Sequence, residues 1–135
     1  MNMRSLLELI DVNLIVAMGI RAVDHLERLD RTQPKGLGTT RFVCMLNMLG
    51  LSQEQRVCVR DQAGDEGPEV ASLFGLYPGT EAMGREAFDL LGIIFTDHTD
   101  LKRILMKVDW KGHPLRQDYG SGRLPVQFKV SSGPR

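Results

Sequence analysis

The sequence contains little cysteine and little histidine, which limits the metal and redox chemistry that it can support. Its 135 residues include two cysteines, Cys44 and Cys58, and three histidines. A zinc or iron–sulfur site needs about four ligands in closely spaced pairs, and neither cysteine has such a neighbour in the sequence. We therefore expect two free thiols in a reducing compartment, without a metal site or a disulfide.

The sequence also lacks an apolar run long enough to cross a membrane. Its most apolar stretch, residues 5–20, is interrupted by Glu8 and Asp11 and is shorter than the roughly 20 residues that a spanning helix needs. No small-residue cleavage site follows it cleanly, as it would in a secretory signal. The length of 135 residues fits one domain. We expect a soluble cytoplasmic chain.

Charge of one sign is not in excess, because 17 basic residues balance 17 acidic ones. The distribution is uneven, however. Residues 100–135 carry eight basic and three acidic side chains, whereas residues 1–99 carry nine basic and fourteen acidic ones. A basic end on an acidic chain is a weak indication of a charged partner or a phosphate-bearing surface.

Two stretches in the middle of the chain have the pattern of a β-hairpin. Residues 41–50 are rich in apolar side chains, and residues 56–61 alternate charged and apolar ones, as a half-buried strand does. The acidic, glycine-containing stretch 61–69 is predicted to be a solvated loop. Residues 5–20 fit a buried helix and a strand equally well, so periodicity leaves this segment open.

Residues 80–91 have the signals of a helix. Thr80 is suited to the N-cap, and Gly92 is placed to end the helix. Gly84, inside it, costs about 1 kcal/mol relative to alanine. Four apolar residues share one face: Met83, Ala87, Leu90 and Leu91. We expect this face to be buried against the hairpin, at Val43, Met45, Val57 or Val59.

The chain is predicted to become irregular after this helix. Residues 92–95 resemble a strand, and residues 100–106 a short helical turn with Leu101, Ile104 and Leu105 on one side. Beyond Val108, five residues prevent long regular structure: Gly112, Pro114, Gly120, Gly122 and Pro125. The pattern divides the chain into a small α/β (α+β) domain, 1–107, with a small mixed sheet and a hairpin covered by helices, and an extended C-terminal arm, 108–135.

The residues themselves do not define a catalytic site. No glycine-rich phosphate loop and no metal-binding motif is present in the sequence. Glu86 and Asp89 lie three apart, where pairing with Arg85, Lys102 or Arg103 is the simplest role.

Three hypotheses for the arm remain open from residues alone. Trp and Tyr with Arg are usual anchors of a protein-docking surface. The same mixture of aromatic and basic residues (Trp110, Tyr119 and Phe128 among them) suits single-stranded nucleic acid. A small hydrolase around Asp109 and His113 is the third, although no Ser or Cys nucleophile lies near them in sequence.

Two long motifs follow one another in the second half of the chain. The first, 85-REAFDLLGIIFTDHTDLKRIL-105, combines Arg-Glu, an aromatic–Asp pair, Gly-Ile and a histidine before basic and aliphatic residues; the second is 109-DWKGHPLRQDY-119. Both resemble signatures of the 30 kDa subunit (the C subunit) of respiratory complex I, the proton-pumping NADH:quinone oxidoreductase. With the tail 123–129, the resemblance covers roughly residues 70–129. Gly84 stands where the family has a glutamate, and residues 1–21 match no family pattern, as in a short or N-terminally divergent member.

The resemblance implies a subunit that has no catalytic residue, metal or cofactor of its own, with the flavin and iron–sulfur clusters of electron transfer in partner subunits. It implies a place in the peripheral arm on the cytoplasmic side of the cell membrane. The expected partners are the quinone-site subunit (49 kDa, or D) and iron–sulfur subunits, with no nucleic acid and with membrane contact only through the complex. The equivalent subunit of a membrane-bound hydrogenase or another quinone reductase is an alternative.

The motifs also supply the candidate docking residues. These are Arg85, Glu86, Asp89, His98, Trp110, His113, Pro114, Arg116, Asp118 and Tyr119. We expect deletion of residues 108–129 to leave the α/β domain folded but to abolish docking. Replacement of Trp110 by alanine should weaken docking by about 2 kcal/mol or more.

Overall fold

Two small sheets and one long helix organise the chain in the computed structural model, which describes residues 3–9, 16–26, 28, 32, 38–51 and 54–120. In chain order the elements are α1 (Met3–Leu9), β1 (Val16–Asp24), β2 (Phe42–Gly50), β3 (Gln55–Ala63), β4 (Glu69–Ala71), a 3-10 turn (Pro78–Thr80), α2 (Glu81–Leu91) and β5 (Ile94–Thr96). Strands β1, β2 and β3 form an antiparallel sheet in that order, and β4 pairs with β5 in parallel. The predicted α+β class is confirmed.

Strands β2 and β3 form the hairpin that the sequence predicts, within two residues of the expected bounds. Leu46 lies opposite Val59 in the antiparallel register. Alternate residues of β2 point into the core, and four of them are fully buried: Phe42, Cys44, Leu46 and Met48. The hairpin therefore supplies the centre of the hydrophobic core.

The N-terminal segment, which periodicity left open, contains a helix followed by a strand. Helix α1 ends at Leu9, and β1 begins at Val16 and pairs antiparallel with β2. The register of this pair shifts between Ala17 and Gly19, as at a β-bulge. A single apolar run that serves two kinds of element cannot show one clear period.

Helix α2 begins and ends close to the predicted residues, but its N-terminus differs from the prediction. Gly92 adopts a left-handed conformation (φ 73°), and its N–H donates to the Phe88 carbonyl, so the predicted C-terminal stop is confirmed. The predicted side-chain cap at Thr80 is wrong. Thr80 already has helical angles at the end of the 3-10 turn, and its hydroxyl donates to the Tyr77 carbonyl at 2.7 Å.

The apolar face of α2 is buried in part as predicted. Ala87 and Leu91 join the core cluster that contains Val59, whereas Met83 and Leu90 are half-buried. The main neighbour of the helix is β1 rather than the hairpin. The sequence could not predict this neighbour because it did not identify β1 as a strand.

The chain beyond α2 differs from the prediction at one place. Strand β5 confirms the strand-like stretch, starting at Ile94. The helical turn predicted over 100–106 is wrong, since residues 101–103 are irregular and 104–106 form bends, with Ile104 and Leu105 exposed. Residues 108–120 are irregular, as expected. Residues 121–135 of the predicted arm, Phe128 among them, lie outside the described residues. Among the described helices, none is long and apolar enough to cross a membrane.

Candidate docking site at the C-terminal end of helix α2

Asp89 is the centre of the candidate site. It lies in the last turns of α2, and its side chain is fully buried, although it is charged. One carboxylate oxygen, Oδ2, accepts the backbone N–H groups of three successive residues at 2.8–3.0 Å: Ile104, Leu105 and Met106. The other, Oδ1, accepts Arg103 Nη1 at 2.6 Å. A buried carboxylate with this many donors fixes the path of the chain around it.

The hydrogen bonds around Asp89 also determine its charge. Burial alone would raise the pKa of this carboxyl group, because a charged group loses hydration in the interior. The bonds from Met106, Arg103, Leu105 and Ile104 stabilise the ionised form and outweigh burial, so the pKa falls from 3.8 to about 2. Asp89 is therefore a permanent anion at neutral pH, unsuited to accept a proton in catalysis.

Two arginines extend this centre over the adjoining backbone. Arg103 also donates to the Gly112 carbonyl through Nη2 at 3.0 Å. Arg85, one turn before Asp89 on α2, donates to the carbonyls of Lys102 and Arg103 at 3.2 and 3.4 Å. Arg85, which also pairs with Glu81, and Arg103, which pairs with Asp89, therefore hold residues 102–112 against the helix.

The C-terminal segment, defined here as residues 100–120, also closes the end of α2. The last carbonyls of a helix have no partner within it. Here Asp89 O accepts His113 Nδ1 at 3.0 Å, Leu90 O accepts the Leu115 N–H at 3.0 Å, and Leu91 O accepts Arg116 Nε at 2.7 Å. A guanidinium at this end is also favoured by the helix dipole. The motif that contains His113 and Arg116 is thus a cap for α2.

Two glycines allow the close packing of this cap. A Cβ atom on Gly92 would lie 2.6 Å from the His113 ring and 2.7 Å from Arg116 Nη2. A Cβ atom on Gly112, whose φ is 84°, would lie 2.7 Å from the Tyr119 ring. Real Cβ atoms do not come so close, and both backbones are left-handed, so each position requires glycine.

A second ionic cluster joins the segment to the sheet. Arg41, before β2, binds Asp24 at the end of β1 through two bonds of 2.9 and 2.7 Å. The Asp24 carboxylate also accepts the Gln117 N–H at 3.0 Å, and Asp118 pairs with Arg41 at 2.9 Å. Burial of Asp24 opposes ionisation, but the Arg41 and backbone hydrogen bonds outweigh it and lower the pKa of the carboxyl group.

The guanidinium groups of Arg41 and Arg116 also lie over the buried Phe42 ring, at 4.7 and 5.1 Å from its centroid. Phe42 therefore links the segment to the main core cluster.

The segment directs Arg103, His113 and Arg116 inward but leaves several apolar side chains exposed beside its surface lysines. Leu105 is 58% exposed, Val108 95% and Leu115 59%, and Ile104 is exposed as well. The neighbouring Trp110 is half-buried, with an indole N–H that is buried yet has no partner among the described residues. Several exposed apolar residues in one short segment indicate an interaction surface.

The structure brings most of the predicted site residues together around the end of α2. Arg85, Asp89, His113 and Arg116 hold the segment directly, and Pro114 lies half-buried between the last two. Tyr119 covers Gly112 and donates its hydroxyl to the Lys111 carbonyl at 3.3 Å, while Asp118 binds Arg41.

Two predicted residues lie outside this group. Glu86 is exposed and borders a cleft beside β1. His98 contacts the start of α2, where Nδ1 accepts the Asp100 N–H and Nε2 therefore donates to the Glu81 carbonyl.

Sequence reasoning did not select Asp24 and Arg41, and it considered Arg103 only as a partner of the helix carboxylates. All three act through contacts with residues distant in sequence. No local pattern marks the first pair, because Asp24 ends β1 and Arg41 precedes β2, and the two meet only when these strands pair.

The described residues contain no group of three or more His, Cys, Asp and Glu side chains able to hold a metal ion. Asp109 is exposed and His113 bonds to a helix carbonyl, so the hydrolase hypothesis receives no support from the geometry.

Comparison with solved structures identifies the fold first. The chain superimposes on a trypsin-resistant fragment of Nqo5, with a TM-score of 0.55 and 24% sequence identity, over 66% of this chain and 67% of that one. At this level of identity the likeness concerns the fold alone. It assigns the protein to the class of small α+β domains with the Nqo5 fold.

Sequence comparison then identifies the family. The sequence model of the respiratory-chain NADH dehydrogenase, 30 Kd subunit, matches residues 3–123, so the chain belongs to that family. Residues 3–21, which had matched no recognised pattern, are part of this match. The C subunit of the NADH-quinone oxidoreductase of Roseiflexus sp. (strain RS-1) is 43% identical over 88 residues, 65% of this chain and 51% of the relative.

A second relative gives the same result. The C subunit of the NADH-quinone oxidoreductase of Xanthomonas campestris pv. campestris (strain B100) is 44% identical over 98 residues, 71% of this chain and 39% of the relative. The chain thus spans about half the length, or less, of the curated relatives that it matches.

Proposed function

We propose that this chain is a non-catalytic subunit of the peripheral arm of an NADH:quinone oxidoreductase, and that it docks against the quinone-site subunit. It belongs to the family named for the 30 Kd subunit of the respiratory-chain NADH dehydrogenase. In this proposal, flavin and iron–sulfur clusters are held by partner subunits, and the chain reaches the cytoplasmic side of the membrane only through the complex.

The observation that carries the proposal is a C-terminal segment that is held in place while its apolar side chains are exposed. Asp89 and the carbonyls of α2 bind its backbone amides and its arginines, whereas Ile104, Leu105, Val108 and Leu115 face outward. Burial of a large apolar side chain contributes about 1.5–3 kcal/mol, so four such residues can support a stable interface. Because the segment is already held in place, docking costs little conformational entropy.

The same geometry favours a protein partner over nucleic acid. A nucleic-acid surface needs cations that are free to meet phosphates and aromatic faces on which bases can stack. Lys102, Lys107 and Lys111 of the segment are exposed, but Arg103 and Arg116 point into the molecule. Trp110 and Tyr119 are half-buried, so their rings are less open to stacked bases than exposed ones.

A matched pair of leucines tests the proposal. Leu105 and Leu51 are both 58% exposed, and Leu51 lies at the tip of the hairpin, away from the C-terminal segment. We expect Leu105→Asp to reduce co-purification with a tagged quinone-site subunit from the native host at least tenfold, and Leu51→Asp to leave it unchanged. Equal recovery of the two variants, or no recovery of the unchanged chain, would contradict the proposal.

A further inference from the structure

The face of the three-stranded sheet opposite the core cluster carries three arginines in two rows, one on each side of a row without charges. Met45 lies between Arg21 and Arg60 across the strands, and Leu49 lies opposite Arg56. Because paired residues share a face, and the alternate residues of β2 fill the core, these three side chains project from the other face. All three are exposed. We call Arg21, Arg56 and Arg60 the arginine face.

The middle row of this face is shallow. It consists of Gly19, Asn47 and Cys58, and a Cβ atom built on Gly19 would meet no atom within 4 Å. Cys58 is an exposed free thiol. A cavity of about 520 Å³ borders this row. Its lining also includes Ile20, Met48 and Val57, which point toward the core, and Met83 and Glu86 of α2, so it is a cleft between sheet and helix rather than part of the arginine face. The shallow row itself leaves room for a segment of another molecule.

The cations of this face are not neutralised within the described part of the chain. The ion pairs found there involve other basic residues, and Glu86, the carboxylate that borders the cavity, forms none of them. The C-terminal stretch 121–135 is basic and contains no Asp or Glu. The chain's own tail therefore does not complement the face.

We propose that the arginine face is a second docking surface, which receives an acidic segment of another protein subunit. This inference rests on the proposed role as a subunit. The charges of the face select a carboxylate-rich partner, since arginine forms paired hydrogen bonds with carboxylates. Val23, Met45 and Leu49 supply apolar contacts beside the arginines, and the absence of aromatic residues from these rows disfavours stacked bases.

Cys58 provides a probe at the centre of this face, and Cys44 an internal control. Cys44 is fully buried, and burial, with Asp61 close by, raises the pKa of its thiol to about 12, so it should not react. We expect a maleimide to modify Cys58 at least tenfold more slowly in the complex isolated with the chain from its native host than in the isolated full chain. A photo-crosslinker on Cys58 should attach to a peptide rich in Asp and Glu.

A control thiol and a charge reversal complete the experiment. Ala82→Cys, at an exposed position of α2 and combined with Cys58→Ser, reports general shielding, and its thiol should keep its reactivity in the complex. Arg60→Glu should raise the rate of Cys58 modification in the complex at least fivefold. Arg28→Glu, at an exposed position outside the arginine face, should leave that rate unchanged.

Each outcome separates this inference from the proposed function. If the chain assembles but Cys58 stays reactive, the second surface is wrong and the subunit role stands. Protection that disappears with nuclease or after removal of lipid, or a crosslink to a peptide without acidic residues, overturns the inference in favour of nucleic acid, lipid or another contact. If the chain does not assemble at all, both proposals fail.

Discussion

Asp89 shows how a single residue can determine the conformation of a segment that is distant in sequence. Its carboxylate accepts three backbone N–H groups and one guanidinium from residues 103–106. Residues 100–106 have a helical pattern of apolar side chains, yet they do not form a helix. The three N–H groups that donate to the Asp89 carboxylate cannot also donate to the carbonyls four residues earlier, as a helix over these residues would require. Hydrogen bonds to a charged carboxylate are stronger than those between backbone groups.

Replacement of Asp89 by asparagine tests this role. The amide keeps the shape but presents an NH₂ group to donors that need an acceptor, and it leaves Arg103 without its counter-charge. We expect a loss of about 3 kcal/mol in the free energy of unfolding, measured in urea. Asp109→Asn, at an exposed position in the same segment, should have no effect. One ordinary hydrogen bond contributes about 1 kcal/mol to stability. A smaller loss for Asp89→Asn would show that the carboxylate does not hold the segment.

The low pKa of Asp89 predicts a dependence of stability on pH. The pKa is about 2 in the folded chain and 3.8 without its partners, so the stabilisation is complete above pH about 4 and disappears as pH falls toward about 2. The shift corresponds to about 2 kcal/mol. Asp24, whose pKa is also lowered, contributes in the same direction. Urea unfolding across this range should give a flatter profile for Asp89→Asn than for the unchanged chain; parallel profiles would exclude the assignment.

Replacement by alanine should change the stability in opposite directions at Gly84, inside α2, and at Gly92, at its end. At Gly84 a Cβ atom would meet the His98 ring at an ordinary 3.4 Å, so alanine should stabilise the helix by up to about 1 kcal/mol. At Gly92 the same change adds a left-handed alanine and a collision with His113, and should cost more than about 2 kcal/mol. Thermal unfolding of both variants decides this, and destabilisation by Gly84→Ala would show that the buried site is already full.

At the scale of elements, the sequence predicts what local patterns determine. The hairpin and α2 were predictable because alternation and end signals lie within each segment, down to the left-handed Gly92. The packing of α2 on β1, and the bond between Gln117 and Asp24, 93 residues apart, depend on tertiary contacts that no local pattern contains. The same holds for the candidate site: the motifs named its residues, but they did not predict that these residues cap α2.

These contacts change the outcome expected for truncation. Loss of residues 108–129 was expected to leave the domain folded, but His113, Leu115 and Arg116 close the end of α2, and Gln117 satisfies Asp24. We now expect a chain ending at residue 107 to lose about 3 kcal/mol of stability, roughly 1 kcal/mol for each lost cap. A chain ending at residue 120 keeps all of these contacts and should match the full chain. Equal circular dichroism melting curves for the two truncations would contradict this.

At the scale of the whole molecule, the chain combines a sheet and a helix with two surfaces of different chemistry. The C-terminal segment presents apolar side chains on a backbone held by buried charges, and the arginine face presents cations that form no ion pair among the described residues. Both are arrangements that become favourable when another protein covers them, in agreement with the proposed role as a subunit.

The central claim is that the C-terminal segment is already fixed before any partner binds. Native-state hydrogen exchange on the isolated full chain tests it at four amides, those of Ile104, Leu105 and Met106 on the Asp89 carboxylate and that of Leu115 on the Leu90 carbonyl. We predict that these four amides exchange at least a hundredfold more slowly than unprotected ones, and that Asp89→Asn removes the protection of the first three. Exchange of all four at unprotected rates in the isolated chain would contradict the account, because the segment would then acquire its structure only on binding.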